Sequence, residues 1–243
     1  MQGKTRGRLF SNDISSAYPA QIARLPSMAG GRWRQVSRPT REQVFSSCKL
    51  SMFLAKTRGF PLTLPLYPRA SRTRSGAVVY PPDTYGISMR DEVIGMFEFR
   101  DHFRTGEVEV IEGLIFEPAD PSSRPFAWVS SLFDYRTALL RADKKDVRAT
   151  SIKLALNSLY GKLAQGVGGS EGPPLFASPW MAAAVTAGVR LQVLRAALTN
   201  PDKVVSLATD EIIWKSPPDI PTSAPGEKEL SCGGRRKPSS MAG

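Results

Sequence analysis

Between Ile152 and Gln165 the sequence IKLALNSLYGKLAQ places Ile152, Leu156, Leu159 and Leu163 within about 60° of one another on a helical wheel. That stripe predicts a helix with one buried face. On the adjacent face the same periodicity lines up Lys153, Asn157 and Tyr160, spaced i, i+4 and i+7. A cation, an amide and an aromatic hydroxyl then point one way beside a core stripe, which suits a phosphate, a sugar or base edge, and a base pair. The same spacing also describes an ordinary amphipathic helix with its polar residues in water, and periodicity alone does not separate the two.

The flanking segments mix helix and strand signals. Residues 126–165 read as helical with a break around Asp143–Asp146. A further helix is expected over 178–199, with Ser178 as N-cap, Pro179 in the first helical position and Pro201 just past the end. KVVSLATDEIIW (203–214) reads as two short apolar strands meeting at a polar tip, Thr209–Asp210. Residues 7–14 (GRLFSNDI) read as a short strand ending at Asp13 and Ile14, and SSAYPAQIARLP as a turn into a short helix closed by Pro26. The runs VIGMFEF (93–99) and EVEVIEGLIF (107–116) predict strands, and 27–90 reads as irregular with β-like fragments such as Ala77–Tyr80. The expected class is α+β. An antiparallel sheet should carry Asp13 and the 204–214 hairpin side by side, with helix 178–199 behind it. Of the last 28 residues 14 are Gly, Pro or Ser, which predicts a disordered tail over 216–243.

Charge narrows the partner. The chain carries a net +11, and residues 1–75 alone hold fourteen Lys or Arg against two acids, Asp13 and Glu42, so the remaining 168 residues sum to −1. Cations interleaved with Trp33, Phe45, Phe53, Phe60 and Tyr67, without an amphipathic helix to organise them, fit nucleic acid better than a membrane surface. Two distant cysteines and a single histidine, His102, leave no material for a disulfide framework, a four-Cys zinc site or a Ser-His-Asp triad. No run of 18 apolar residues occurs, and MQGKTRGRLF lacks the apolar stretch of a signal peptide, so a cytoplasmic location is the expectation.

The string K-L-A-L-N-S-L-Y-G-K (153–162) resembles motif B of family B DNA polymerases, K-x-x-x-N-S-L-Y-G-K. DISSAYPAQI (13–22) resembles motif A, D-x-x-S-L-Y-P, with Ala17 in place of Leu. SLATDEI (206–212) resembles motif C, Y-x-D-T-D-S, keeping Thr209 and Asp210 but with Ala208 where the first Asp stands and Glu211 where Ser or Gly is usual. Thr186–Arg190 (TAGVR) resembles the T-x-x-A/G-R element of the protein-primed phage and plasmid branch. The ordered set covers about residues 7–215, with nothing resembling an exonuclease before it or a thumb after Trp214, so the resemblance implies a palm-and-fingers fragment of phage or plasmid origin.

That resemblance implies DNA-directed DNA polymerisation, transferring a nucleotide from a dNTP to a 3′-hydroxyl on a DNA primer-template with two Mg²⁺ ions, or Mn²⁺ in their place. It assigns the metal ligands to Asp13, Asp210 and the Ile14 carbonyl, and the catalytic set to Asp13, Asp210 and Lys153. Ser16, Ala17, Tyr18, Arg136, Lys153, Asn157 and Tyr160 would bind the nucleotide, with Lys153 on the β/γ-phosphates and Tyr18 excluding a 2′-hydroxyl. Arg136 is preferred to Arg141 as the second phosphate cation. Gly161, Lys162, Thr186 and Arg190 would touch DNA. The implied organisation is palm with motif A and a basic insertion over 1–125, fingers over 126–168 and palm with motif C over 169–215. The insertion, centred on 27–75, would contact a terminal priming protein and DNA. Only 53 residues separate Asn157 from Asp210, leaving little room for a second insertion and implying low processivity. Ala208 keeps a second reading open, a catalytically silent remnant that still binds DNA.

Overall fold

The computed structural model of the chain describes residues 9–14, 16–60, 71–72, 78–79, 81, 83–166, 174, 176–207 and 210–218. The expected disordered tail lies almost wholly outside the described residues, as do Ala208 and Thr209. The fold is α+β, with six α-helices and three antiparallel sheets among the described residues.

The first sheet is built from β1 (Phe10–Asp13), β8 (Val204–Leu207) and β9 (Glu211–Trp214) in the order β1-β9-β8. The register pairs Phe10 with Trp214, Asn12 with Ile212 and Asp13 with Glu211. Side chains alternate between faces of a strand, so Asn12, Ile212 and Trp214 fall on one face, and all three are buried. That apolar face packs on α6 (Pro179–Leu198), whose Val189, Val193 and Leu194 share its core. The other face presents Asp13 and Glu211. The predicted juxtaposition of Asp13 with the hairpin, backed by the 178–199 helix, is what the structure shows. Helix α6 begins as expected, with the Ser178 side chain accepting from the Met181 N–H and Pro179 leading the first turn. Although α6 is long and apolar enough to cross a membrane, 61% of its apolar window is buried inside the protein.

Two readings need correction, one strand and one irregular stretch. VIGMFEF (93–99) lies inside α3 (Arg90–Phe103), where Val93, Ile94, Met96, Phe97 and Phe99 are all buried. A continuous apolar run fits a buried strand or a buried helix equally well, and here the helix wins because α3 is covered on several sides. The missed signal was polar: Asp91 and Glu92 occupy the first turn, Arg100 and His102 the last, and the Met89 N–H donates to Glu92 Oε2 at 3.1 Å. The stretch 27–90, expected to be irregular, carries β2 (Arg32–Ser37), α2 (Arg41–Ser46), β3 (Met52–Arg58) and β6 (Thr84–Met89). These strands join β7 (Glu107–Glu117) in a four-stranded sheet ordered β2-β7-β3-β6. Two-residue strands β4 (Ser71–Arg72) and β5 (Val78–Val79) pair separately, the latter inside the β-like fragment noted in the sequence.

Folding also redistributes the basic charge. Between residues 27 and 60, Arg32 and Arg34 both bind Glu117, Arg41 binds Asp101 and Lys49 binds Asp91. All three acids come from the 90–117 segment, so the lopsidedness of the sequence is smaller in the folded chain. Exposed pairs of this kind are weak, and Arg32 and Arg34 remain largely in water.

Helices α4 (Trp128–Ala142) and α5 (Val147–Ala164) form the expected pair, broken at Asp143–Asp146. Leu156 and Leu163 of the predicted stripe are buried and Ile152 and Leu159 partly so, while Lys153 and Asn157 are exposed. Helix α1 (Ala17–Ala23) sits against α4, α5 and α6.

A buried polar knot joins α1 to α3 beside α6. Lys49 Nζ binds Gln21 Oε1 and lies 3.1 Å from Asp91 Oδ2, and Arg90 Nη1 reaches Asp91 Oδ1 at 2.8 Å. Burial pushes the Lys49 ammonium below the usual lysine range and Asp91 opposes that push. The knot rests on Gly188, where an added Cβ would stand 2.4 Å from Gln21 Oε1 and 2.6 Å from Lys49 Nζ. Gly188→Ala displaces two flexible side-chain ends of that network and, set against the helix propensity alanine gains, should destabilise the fold by about 1 kcal/mol. At Gly161 an added Cβ meets no described atom within 4 Å, and Gly161→Ala should stabilise the helix by up to about 1 kcal/mol. Urea unfolding of the two variants checks both signs.

Candidate active site

Strand β1 ends where the chain turns into α1, and that end faces the start of β9. The Ile14 N–H donates to the Asp210 carbonyl at 2.9 Å, one step beyond the Asp13–Glu211 pair. Asp210 itself lies in the bend entering β9, so its side chain is not tied to the strand alternation. Burial, followed by the charges of Asp210 and Glu211, raises the Asp13 carboxyl above the usual range, while Lys153 and the Ile14 N–H oppose the rise. Asp210 is raised as well, mainly by burial, with its own backbone N–H opposing and Glu211 adding to the rise. Glu211 is oriented by the Ser11 hydroxyl, which donates to Glu211 Oε1. The carboxylates of Asp13, Glu211 and the bend residue Asp210 thus share one neighbourhood, with the Lys153 ammonium of α5 acting on Asp13.

The turn after β1 is strained. Ser16 has φ 53°, a left-handed conformation uncommon outside glycine, and it launches α1 with no side-chain cap. The Ile14 carbonyl accepts from the Ala17 N–H at 3.3 Å. Ala17 is buried, and Tyr18 is half-buried where the two hydrophobic clusters of the protein meet. The Tyr18 ring lies 4.5 Å from the Tyr160 ring at 53°. Burial raises the Tyr18 hydroxyl above its ordinary range, Tyr160 and Asp210 add to the rise, and Arg190 opposes it. The Tyr160 hydroxyl is 2.9 Å from Thr186 Oγ1 on α6.

One neighbourhood therefore holds Asp13, Ile14, Ser16, Ala17, Tyr18, Lys153, Tyr160, Thr186, Arg190 and Asp210. Other expected residues have different surroundings. Arg136 uses Nε to bind the Ala149 carbonyl at 3.2 Å, tying α4 to the first turn of α5. Lys162 reaches Gln165, Asn157 is exposed, and Gly161 faces open space. Arg190 is held by Glu92, with Nη1 2.7 Å from Oε1. Sequence reasoning missed Glu92, which lies just before the 93–99 run read as a strand; its position three residues past the Met89 cap was the available signal. Beside the tyrosine pair lies a cavity of about 590 Å³, lined by Met52, Met89, Tyr160, Trp180, Thr186 and Arg190 among others.

Carboxylate oxygens are the donor type that a hard divalent cation takes. Among the described residues no group of three or more His, Cys, Asp or Glu side chains is arranged to hold a metal. Mg²⁺ needs less than that, since it binds through one or two carboxylates and fills its remaining positions with water and phosphate oxygens. Burial and the charge of Glu211 raise both Asp13 and Asp210, a strain that such an ion would relieve.

The architecture is that of a DNA polymerase-like α+β fold. Three solved structures of phi29 DNA polymerase are similar to the chain. The orthorhombic crystal form superposes with a TM-score of 0.59 at 19% identity, covering 88% of this chain and 40% of the polymerase. The complex with primer-template DNA and incoming nucleotide substrates gives 0.58 at 17% identity, covering 92% and 42%. The binary complex with primer-template DNA gives 0.56 at 19%, covering 88% and 39%. The chain thus spans about two fifths of the length of the polymerase it resembles. No protein-family profile matches the chain, and no curated protein sequence does.

Clustered carboxylates with raised pKa values destabilise the fold at neutral pH. The sign follows from linkage: between the ordinary value and the raised one the folded chain holds more protons than the unfolded chain, so stability falls as pH rises through that window. Asp210→Asn removes one member and should raise Tm at pH 7 by roughly 1–2 °C, after discounting for solvent screening. Differential scanning calorimetry at pH 7, without divalent cations, reads the shift.

Proposed function

We propose that the chain is the palm-and-fingers part of a DNA-directed DNA polymerase of the protein-primed family B type. It would transfer a nucleotide from a dNTP to the 3′-hydroxyl of a primer-template. The observation that carries this reading is the joining of Asp13 and Asp210 on adjacent strand ends, with Lys153 in their field and the Tyr18–Tyr160 pair beside them. In this reading residues 1–125 and 169–215 are palm and 126–168 fingers.

Asp13 and Asp210, with the Ile14 carbonyl, would hold Mg²⁺ or Mn²⁺. When bound, the metal supplies charge neutralisation and Lewis-acid activation for phosphoryl transfer. Lys153, exposed on α5 and coupled to Asp13, would take the β/γ-phosphates and offset the charge that develops on the leaving pyrophosphate. Ser16 and Ala17 present backbone at the strained turn where a triphosphate would lie. Tyr18 would sit under the sugar and exclude a 2′-hydroxyl, with Tyr160 and Asn157 closing the base-pair pocket. Arg136 would offer its remaining guanidinium nitrogens to phosphate. Gly161, Lys162 and Arg190 would approach the DNA backbone, where contacts position the duplex without reading sequence. The exposed Arg32 and Arg34 of β2 suit a polyanion or a terminal priming protein.

Ala208 favours a second reading, a silent DNA-binding remnant, because it stands in place of a motif carboxylate. Binding of a dNTP to the chain on a primer-template distinguishes the two. Polymerase chemistry requires Mg²⁺-dependent binding that Asp210→Ala weakens at least about tenfold, a loss near 1.4 kcal/mol. Equal, Mg²⁺-independent binding in wild type and variant would leave the silent remnant as the better account.

A further inference from the structure

We infer that Thr186 is a positioning residue for Tyr160, serving the nucleotide side of the site and not the DNA. This rests on the proposed reading of Tyr18 and Tyr160 as the wall of a nucleotide pocket. The argument is one of proton count. Thr186 Oγ1 lies 3.0 Å from the Ala182 carbonyl one turn earlier on α6, and 2.9 Å from the Tyr160 hydroxyl. A carbonyl only accepts, so the single Thr186 hydroxyl proton goes to Ala182. The Tyr160 hydroxyl must then be the donor to Thr186. With its proton committed, Thr186 has nothing to donate to a phosphate oxygen, which itself only accepts.

What Thr186 does instead is fix a ring. Tyr160 is anchored at its hydroxyl by α6 and along its side by Tyr18, 4.5 Å away and tilted by 53°. Three elements, α1, α5 and α6, thereby set one aromatic angle. A side chain fixed at both ends adds little ordering cost when a sugar and base pack against it. Releasing the hydroxyl frees rotation about the Cα–Cβ and Cβ–Cγ bonds, and the face offered to a nucleotide is no longer defined. Arg190, one turn further along α6, keeps donors beyond the one given to Glu92 and is half-exposed, so the DNA-facing role belongs to it.

The test uses the whole chain with Thr186→Val, which keeps shape and removes the hydroxyl, and Thr186→Ser, which keeps the hydroxyl. Thr186→Val should weaken Mg²⁺-dependent dNTP binding about three- to tenfold and narrow the preference for dNTP over rNTP. Thr186→Ser should recover most of both. Tyr160→Phe should show the same loss, and the Thr186→Val/Tyr160→Phe pair should be no worse than either single variant, since both remove one bond. Primer-template affinity and its salt slope should not move, whereas Arg190→Ala should lower the slope by about one. In chain carrying tyrosine labelled with ¹³C at Cζ, Thr186→Val should shift the Tyr160 resonance and Thr186→Ser should not. An unmoved resonance, or wild-type dNTP binding unchanged by Thr186→Val, overturns the inference alone. A Thr186→Val loss confined to DNA affinity overturns it in favour of a DNA contact. Failure of the wild type to bind dNTP at all overturns the reading of the site and this inference together.

Discussion

The pairing of β1 with β9 is the constraint on which the rest depends. Two four-residue strands, separated by almost the whole described chain, meet in one register, and that register puts Asp13 opposite Glu211 and Ile14 against Asp210. A slip of one residue would turn the carboxylates into the core and Ile212 and Trp214 into solvent. The fully buried Trp214 and Ile212 are therefore what hold the acidic face in place. Their burial, at about 25 cal/mol per Å² of apolar surface, favours the register that gathers like charges on the opposite face.

Helix α6 converts that local sheet into a site. Its Val189, Val193 and Leu194 support the back of the sheet, its Gly188 leaves room for the Lys49–Gln21 contact against α1, and its Thr186 and Arg190 reach the tyrosine pair. Structural and chemical residues alternate along one helix because successive side chains step by 100°, so one face meets the sheet and the next meets α1 and α5. The spacing T-x-G-x-R follows from this geometry. Each of the three residues addresses a different neighbour, and the glycine is required by a polar contact and not by backbone freedom.

The parts of the fold legible in the sequence were those with local signals. Ser178 and Pro179 marked the start of α6, the apolar stripe of α5 was visible as a period, and the polar tip at Thr209–Asp210 divided two apolar runs. The four-stranded sheet was hidden because β2 (RWRQVS) is an edge strand with most of its residues exposed, and β3 (MFLAKTR) carries apolar residues on both faces. Strands β2 and β3 acquire their identity only by pairing with β7. Helix α3 was hidden by success of another kind, since a helix buried on several sides loses its amphipathic period and reads like a strand. The candidate site was legible as residue types in order. Its wiring was not: the hold of Glu92 on Arg190, the bond of Tyr160 to Thr186 and the anchoring of Arg136 at Ala149 all join segments that only folding brings together.

The substitution pattern of the hairpin has a physical reading in these terms. Where the motif that the hairpin resembles has a carboxylate the chain has Ala208, and it has a carboxylate three residues later at Glu211, whose register partner is Asp13. A charge at 211 acts on the site because paired residues share a face, with Cβ atoms about 4.5–5.5 Å apart. Its longer side chain is held by the Ser11 hydroxyl, two residues before Asp13 on the same face. Both Asp13 and Asp210 register that charge as a rise in their own pKa. The negative field at the end of β1 is thus reinforced by Glu211, at the position where the similar motif usually has Ser or Gly. A cation attracted to Asp13 and Asp210 meets the summed field of three carboxylates, so charge count alone does not make the Ala208 chain a weak cation site.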